Sequence, residues 1–256
     1  MFQIIAFQTI LRKEVSRISR IWTQTLLPSP ITQALYLLIF GNIIGSRIGA
    51  SFGGVNYIDF ITPGLILMAM VTNSYSNVSG SFYMARFQKS LEELLVAPVS
   101  NLTILLGYCT AGTIRGLING FTVYLVSLCF GTSVLIANVG ILFFFAVMIN
   151  IIFALFGFFN GIFAKNFDDV SLIPTFVLTP LTYLGGVFYP ISQLPQPWQT
   201  IAQFNPIVYM IDGLRVGFSG SGIYNVYVSM MALTICVFGL FALNLILLAK
   251  GTNIRN

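Results

Sequence analysis

In this 256-residue chain 57% of residues are hydrophobic and only 7% charged, and the mean hydropathy is +0.90. A water-soluble domain carries roughly 25% charged residues to cover its surface, so lipid is the expected solvent, and one membrane domain fills the chain without room for a separate soluble one. The net charge of +5 is read as basic cytoplasmic loops rather than a nucleic-acid surface, and the absence of histidine removes His-based acid–base chemistry and most transition-metal sites.

The chain opens with a segment too broken by charge to span. Ile4, Phe7, Leu11, Val15, Ile18 and Trp22 recur at helical spacing, with Arg12, Lys13, Arg17 and Arg20 off that stripe. This pattern predicts an amphipathic helix over 1–25 lying in the membrane surface and drawn to anionic headgroups. It has neither the continuous apolar region nor the small-residue cleavage site of a signal peptide. A transmembrane domain is expected over 26–252, all α-helical, with six spans near 28–46, 60–82, 101–131, 134–163, 170–189 and 227–249. A very short turn at Thr132–Ser133 predicts a tight hairpin between the third and fourth. Pro174 and Pro180 should kink the fifth and expose carbonyls.

Orientation follows from charge. With the N-terminus inside, alternate loops place Arg12, Lys13, Arg17, Arg20, Arg86, Lys89, Lys165, Lys250 and Arg255 in the cytoplasm, against Arg47 and Arg215 outside. That bias puts both termini in the cytoplasm. Cys109, Cys129 and Cys236 lie in apolar runs and form no motif, which marks them as reduced packing residues.

The substantial cytoplasmic loop is 84–100, MARFQKSLEELLVAPVS. Phe87, Leu91 and Leu94 are expected to form an apolar stripe beside Glu92 and Glu93, with Pro98 ending the helix. A helix exposing Leu94, Leu95 and Val96 beyond the headgroups calls for a protein partner. After the fifth span, Gly185-Gly186, Pro190, Pro195, Pro197 and Asn205-Pro206 bracket two short amphipathic pieces, 195–204 (Trp198, Ile201, Phe204) and 207–215 (Ile207, Met210, Ile211, Leu214). Neither can span. Together they predict an interfacial or re-entrant helical hairpin over 190–216 on the outer side.

Arg115 falls inside the third span, where a charge is costly enough to raise the question of function. A structural role facing protein or a wet cavity is favoured, with substrate contact the alternative. Asp59 reads as a helix-entry residue. Gly112, Gly116 and Gly120, like Gly41, Gly45 and Gly49, repeat at the four-residue interval that lets helices approach closely in lipid, within one subunit or across a dimer. The plentiful aromatic residues single out no substrate position.

Two of these segments resemble one family. The run LGGVFYPISQLPQPWQTIAQFNPIVYMIDGLR, with Gly185, Gly186, Pro190, Leu194, Pro195, Asn205, Pro206, Tyr209 and Arg215, is similar to the C-terminal signature of ABC-2 type permeases. FQKSLEELLVAPVS resembles that family's first intracellular loop, and AKNFDDVSLIPTFVLTPLTYLGGVFYP looks like its YadH-like branch of bacterial inner-membrane exporters. The resemblance implies a multi-pass bacterial inner-membrane permease that works as a homodimer with two copies of a separate ATPase. It makes Phe87, Leu91, Glu92, Glu93 and Leu94 the candidates for ATPase coupling. Asp168 and Asp169 in the second loop are weaker candidates, since they also stand where they would cap the fifth helix. This chain has no GxxxxGK[ST] loop. The resemblance therefore assigns ATP and Mg to the ATPase and no cofactor to this chain.

An ATPase-independent secondary transporter or channel is the alternative. Ion-coupled carriers use acidic or histidine residues near the midplane, whereas the Asp and Glu residues here are expected at loops or span ends. A membrane-embedded enzyme finds no Ser-His, metal-ligand or paired-carboxylate arrangement to support it.

Overall fold

A computed structural model describes residues 2–45 and 56–251. Arg47, Gly49 and Arg255 lie outside them. The described residues are helical and contain no strand. Helix α1 (Phe2–Arg20) leads through a single turn at Trp22–Thr25 into α2 (Pro28–Tyr36), which continues as a π-helical stretch over Leu37–Ile44. Then come α3 (Tyr57–Phe87), the short α4 (Ser90–Val96), α5 (Asn101–Cys129) and α6 (Val139–Phe163). Next, α7 (Phe167–Ile173) passes through a π-turn at Pro174–Leu178 into α8 (Thr179–Leu184), as expected of a proline-bearing helix. The chain ends in α9 (Gln196–Gln203), α10 (Pro206–Ser219) and α11 (Val226–Lys250).

Helices α6 and α11 are each long and apolar enough to cross a membrane. Exposed Met231, Ile235, Phe238 and Ile246 give α11 an apolar outer flank. Helix α3 is different. It is buried on nearly all sides by α5, α6 and α10, so Asn73, Ser74, Asn77 and Ser79 can face neighbouring helices instead of lipid. At 31 residues it runs about 46 Å.

The core is divided. One apolar cluster gathers Leu65, Met70, Phe145, Ile149 and Met210, and a second gathers Val78, Phe82, Tyr108, Phe158 and Ile162. Between them lies a polar layer: Ser74 Oγ donates to the Asn150 carbonyl at 2.6 Å, and Asn119 Nδ2 donates to the Arg115 carbonyl at 3.1 Å. The glycine repeat of α5 packs within the chain at this level. A methyl group on Gly112 would strike Val78, one on Gly116 would strike Asn150, and one on Gly120 would strike Met70.

Two expected boundaries shift. The connection between α5 and α6 is not a tight turn at Thr132–Ser133 but an irregular segment over 130–138. Asn138 caps α6 by accepting the Ile141 N–H at 3.1 Å, and the Ala137 and Asn138 amides donate to carbonyls at the end of α10. The fifth span ends at Leu184 rather than 189, because Gly186 turns the backbone at φ +80°.

Candidate functional site

Three groups of residues carry chemistry, and α1 links two of them. Its expected membrane-facing stripe is only partly what the bundle uses. Ile18 is buried, but Ile4, Val15 and Trp22 are exposed, and the inward face is Ile10, Glu14 and Ile18 against α5. Gly107 permits this approach, since a methyl there would overlap Ile10. Gln3 pins the start of α1 beyond α4: its Nε2 donates to the Pro98 carbonyl at 2.8 Å, and its Oε1 accepts the Ser100 N–H at 3.0 Å and the Thr103 hydroxyl at 2.8 Å.

The other end of α1 enters a buried polar cluster that apolar periodicity could not reveal. Glu14, 2% exposed, accepts from Ser81 Oγ at 2.6 Å and pairs with Arg17 at 2.8 Å. Arg17 also donates to Asn77 Oδ1 at 3.0 Å. Arg115 donates to the same oxygen at 3.3 Å, to Asn73 Oδ1 at 3.3 Å and to the Thr25 carbonyl at 3.2 Å. The sequence singled out Arg115 alone. Glu14, Asn73, Asn77 and Ser81 are its unexpected company, and the Asn residues inside the otherwise apolar α3 were the available signal. An open cavity of 470 Å³ adjoins Arg115, lined among others by Gln33, Tyr36, Thr72, Asn73 and Tyr183.

The second group lies at the far ends of α3 and α6. Lys89 takes the left-handed conformation at φ +59° and turns the chain into α4. The expected ridge of Phe87, Leu91 and Leu94 does not form as one surface. Leu91 is 2% exposed and belongs to the chain's own core with Ala85, Ile104 and Ile162, while Leu94 packs against that cluster. Phe87 precedes α4 and is 64% exposed. Its ring lies 5.7 Å from that of Phe167, and Tyr83 stacks on Phe87 at 6.2 Å and meets Phe167 edge-on at 4.9 Å. Glu93 and Val96 are exposed; Glu92 is helical, but its side chain lies outside the described residues.

Arg86 ties the two loops together by donating to the carbonyls of Gly161 at 2.8 Å, Ile162 at 2.6 Å and Ala164 at 3.2 Å, where a cation favours the C-terminus of α6. In the second loop the Asp169 carboxylate accepts the Lys165 and Asn166 N–H groups at 2.8 and 3.2 Å, which closes the cap of α7. Asp168 beside it is exposed.

The third group is the proline-rich hairpin. Pro190 precedes a 3-10 turn over Ile191–Gln193, and Pro195 opens α9, whose Trp198 and Ile201 are exposed. Asn205 caps α10 by accepting the Ile207 N–H at 3.0 Å and donates to the Leu181 carbonyl at 2.6 Å; Pro206 stands in the first turn. A methyl on Gly185 would meet Ile207, and Gly213 lies against the Phe145 ring. Arg215 donates to the Gly186 carbonyl at 2.9 Å and lies 4.0 Å over the Phe60 ring. Asp212 accepts the Ile223 and Tyr224 amides at 2.8 and 2.9 Å. Burial pushes the Tyr224 phenol up, helped by Tyr209 and Asp212 nearby. Asp59 begins α3 as expected and accepts the Ser133 N–H at 2.8 Å.

Comparison with known proteins agrees with the hairpin and loop motifs. The family model described as ABC-2 type transporter matches residues 5–219. The chain is 46% identical to the inner membrane transport permease YadH of Escherichia coli K12 over 98% of both chains. It is 26% identical to nodulation protein J of Rhizobium leguminosarum bv. viciae over 84% of this chain and 83% of that one. Nodulation protein J of Rhizobium meliloti is 29% identical over 75% and 73%.

Proposed function

The chain belongs to the ABC-2 type transporter family, and from that premise we propose that it is the membrane-spanning subunit of an ATP-driven exporter. Two copies form the path, and a separate ATPase, which binds ATP and Mg, docks on each. The spans are α2, α3, α5, α6, the α7–α8 segment and α11, with both termini and α4 in the cytoplasm and the α9–α10 hairpin outside. The inner-membrane location of the 46% identical relative and the basic residues of α1, the α3–α4 turn and the α6–α7 loop support this arrangement.

The observation that carries the docking reading is the aromatic junction at the ends of α3 and α7. Phe87 and Phe167, 64% and 55% exposed, come from different loops and meet in one patch, with Val96 exposed on α4 nearby in sequence. Exposed rings of this size beyond the headgroups are costly without a partner, and Glu93 and Asp168 supply charge that sets its register. Leu91 acts from inside, holding α4 to the bundle; its burial contributes about 2 kcal/mol. Asp169 serves the cap of α7.

Co-purification with a candidate ATPase subunit tests this. Phe87→Asp combined with Phe167→Asp is expected to abolish the complex and ATPase stimulation, while charge reversal at Glu92 and Glu93 weakens both. If complex and stimulation survive all these changes, the docking assignment is wrong.

A further inference from the structure

Beside the cavity at Arg115 two buried polar atoms have no hydrogen-bond partner among the described residues. Gln33 is 5% exposed and lines the cavity, yet its Oε1 has no hydrogen-bond partner. Arg115 Nε is also unpartnered, and its terminal nitrogens meet only neutral oxygens of Asn73, Asn77 and Thr25. Glu14 is matched by Arg17, so Arg115 leaves one uncompensated positive charge at the wall. Among the described residues no Asp or Glu lines the cavity, whereas Ser29, Thr72 and Tyr36 do.

The depth of the cavity is informative. Gly41 and Gly45 pack against Ile58 and Tyr57, which places the end of α2 beside the start of α3. Asn73, at Arg115, lies roughly 24 Å along α3 from Tyr57. A hydrocarbon layer is about 30 Å thick. With Tyr57 near the outer boundary, Asn73 and Arg115 fall in the inner half of that layer, and the bond to the Thr25 carbonyl, just before α2, sets Arg115 on the side of the cytoplasmic leaflet. Toward the outer side the cavity is roofed: the Tyr36 and Tyr183 hydroxyls lie 3.2 Å apart, and the Phe40 and Phe188 rings pack behind them at 4.6 Å.

We propose that this cavity binds an anionic, hydroxyl-bearing headgroup presented at the cytoplasmic leaflet, with Arg115 meeting the phosphate or carboxylate and Gln33 and the hydroxyls meeting the polyol. An anion there converts an uncompensated charge into a charge-assisted pair. Exposed Arg12, Lys13 and Arg20 on α1 raise the local concentration of such ligands. The depth argument rests on the orientation proposed above, but the binding itself requires no ATPase.

Calorimetric titration of the purified chain in nonionic detergent tests the site with dioctanoyl phosphatidylglycerol, dioctanoyl phosphatidylcholine and glycerol 3-phosphate. Phosphatidylglycerol is expected to bind at least about ten-fold more tightly than phosphatidylcholine. Arg115→Gln should weaken it about ten-fold or more. Thr72→Trp fills the cavity without touching the hydrogen bonds of Arg115 and should weaken it equally at unchanged melting temperature. Competition by glycerol 3-phosphate at similar affinity identifies a soluble polar cargo; binding of the lipid alone identifies the leaflet as the source. Equal binding of the two lipids, or unaltered binding in a folded Thr72→Trp variant, overturns the proposal. Loss of ATPase coupling with lipid binding intact counts against the docking reading only.

Discussion

At the scale of single residues, packing separates glycines that look alike in the sequence. Gly116 faces Asn150 where no methyl group fits, whereas Gly239 on α11 has open space around it. Gly116→Val is therefore expected to destabilise the chain by several kcal/mol, read as poor recovery of monodisperse protein and early thermal unfolding in detergent. Gly239→Ala should be neutral or stabilise by about 0.5–1 kcal/mol in the same assay. The four-residue spacing was legible; which helix it meets was not, because spacing carries no information about the partner surface. Glu14 was illegible for a related reason. It stands among basic residues on a charge-broken helix, at the flank of the apolar stripe, and the packing that brings Ser81 and Arg17 to it makes it a buried group. Glu14→Leu leaves Ser81 and the part-exposed Arg17 without their carboxylate, and a loss of about 1–2 kcal/mol is expected, measurable as a lower melting temperature.

At the scale of elements, the helices were readable from apolar length, and their ends were misread wherever a side chain overrules an apolar run. Val134, Leu135 and Ile136 look like the start of a span, yet α6 begins at Val139 because Asn138 caps it there. Leu91 was placed on a docking ridge because residues 87, 91 and 94 share helical spacing. That spacing assumed one continuous helix, and the left-handed Lys89 breaks it. The turn at Lys89 has its own signature in stability. Lys89→Gly removes the strain of positive φ and should leave the melting temperature unchanged or raise it, while Lys89→Val should lower the melting temperature through a loss of about 1–2 kcal/mol of stability.

At the scale of the whole molecule, α1 spans from Gln3 at the end of the α4 loop to the neighbourhood of Thr25 beside Arg115. A 19-residue helix is about 28 Å of nearly rigid rod, so a displacement of the loop reaches the cavity without any span bending. Insertion of two glycines after Ser16 is expected to preserve co-purification with the ATPase but to reduce ATPase stimulation; unchanged stimulation would show that α1 transmits nothing. Composition announced a membrane chain, and the resemblance of the loop and hairpin announced the family, before any coordinates. The link between loop and cavity was hidden, since it depends on side chains far apart in the sequence.

The polar layer between the two apolar clusters has a mechanical consequence. Greasy surfaces tolerate slippage, because one methyl group serves nearly as well as the next. A hydroxyl bonded to the Asn150 carbonyl and a glycine seated on the Asn150 side chain do not. Sliding α3 by one turn, about 5.4 Å, would part the Ser74 hydroxyl from the Asn150 carbonyl and leave both in an apolar environment. The layer therefore works as a vernier lock between α3 and α6, and opening of the path is easier at the periphery, where α2 and α8 meet through a pair of tyrosines.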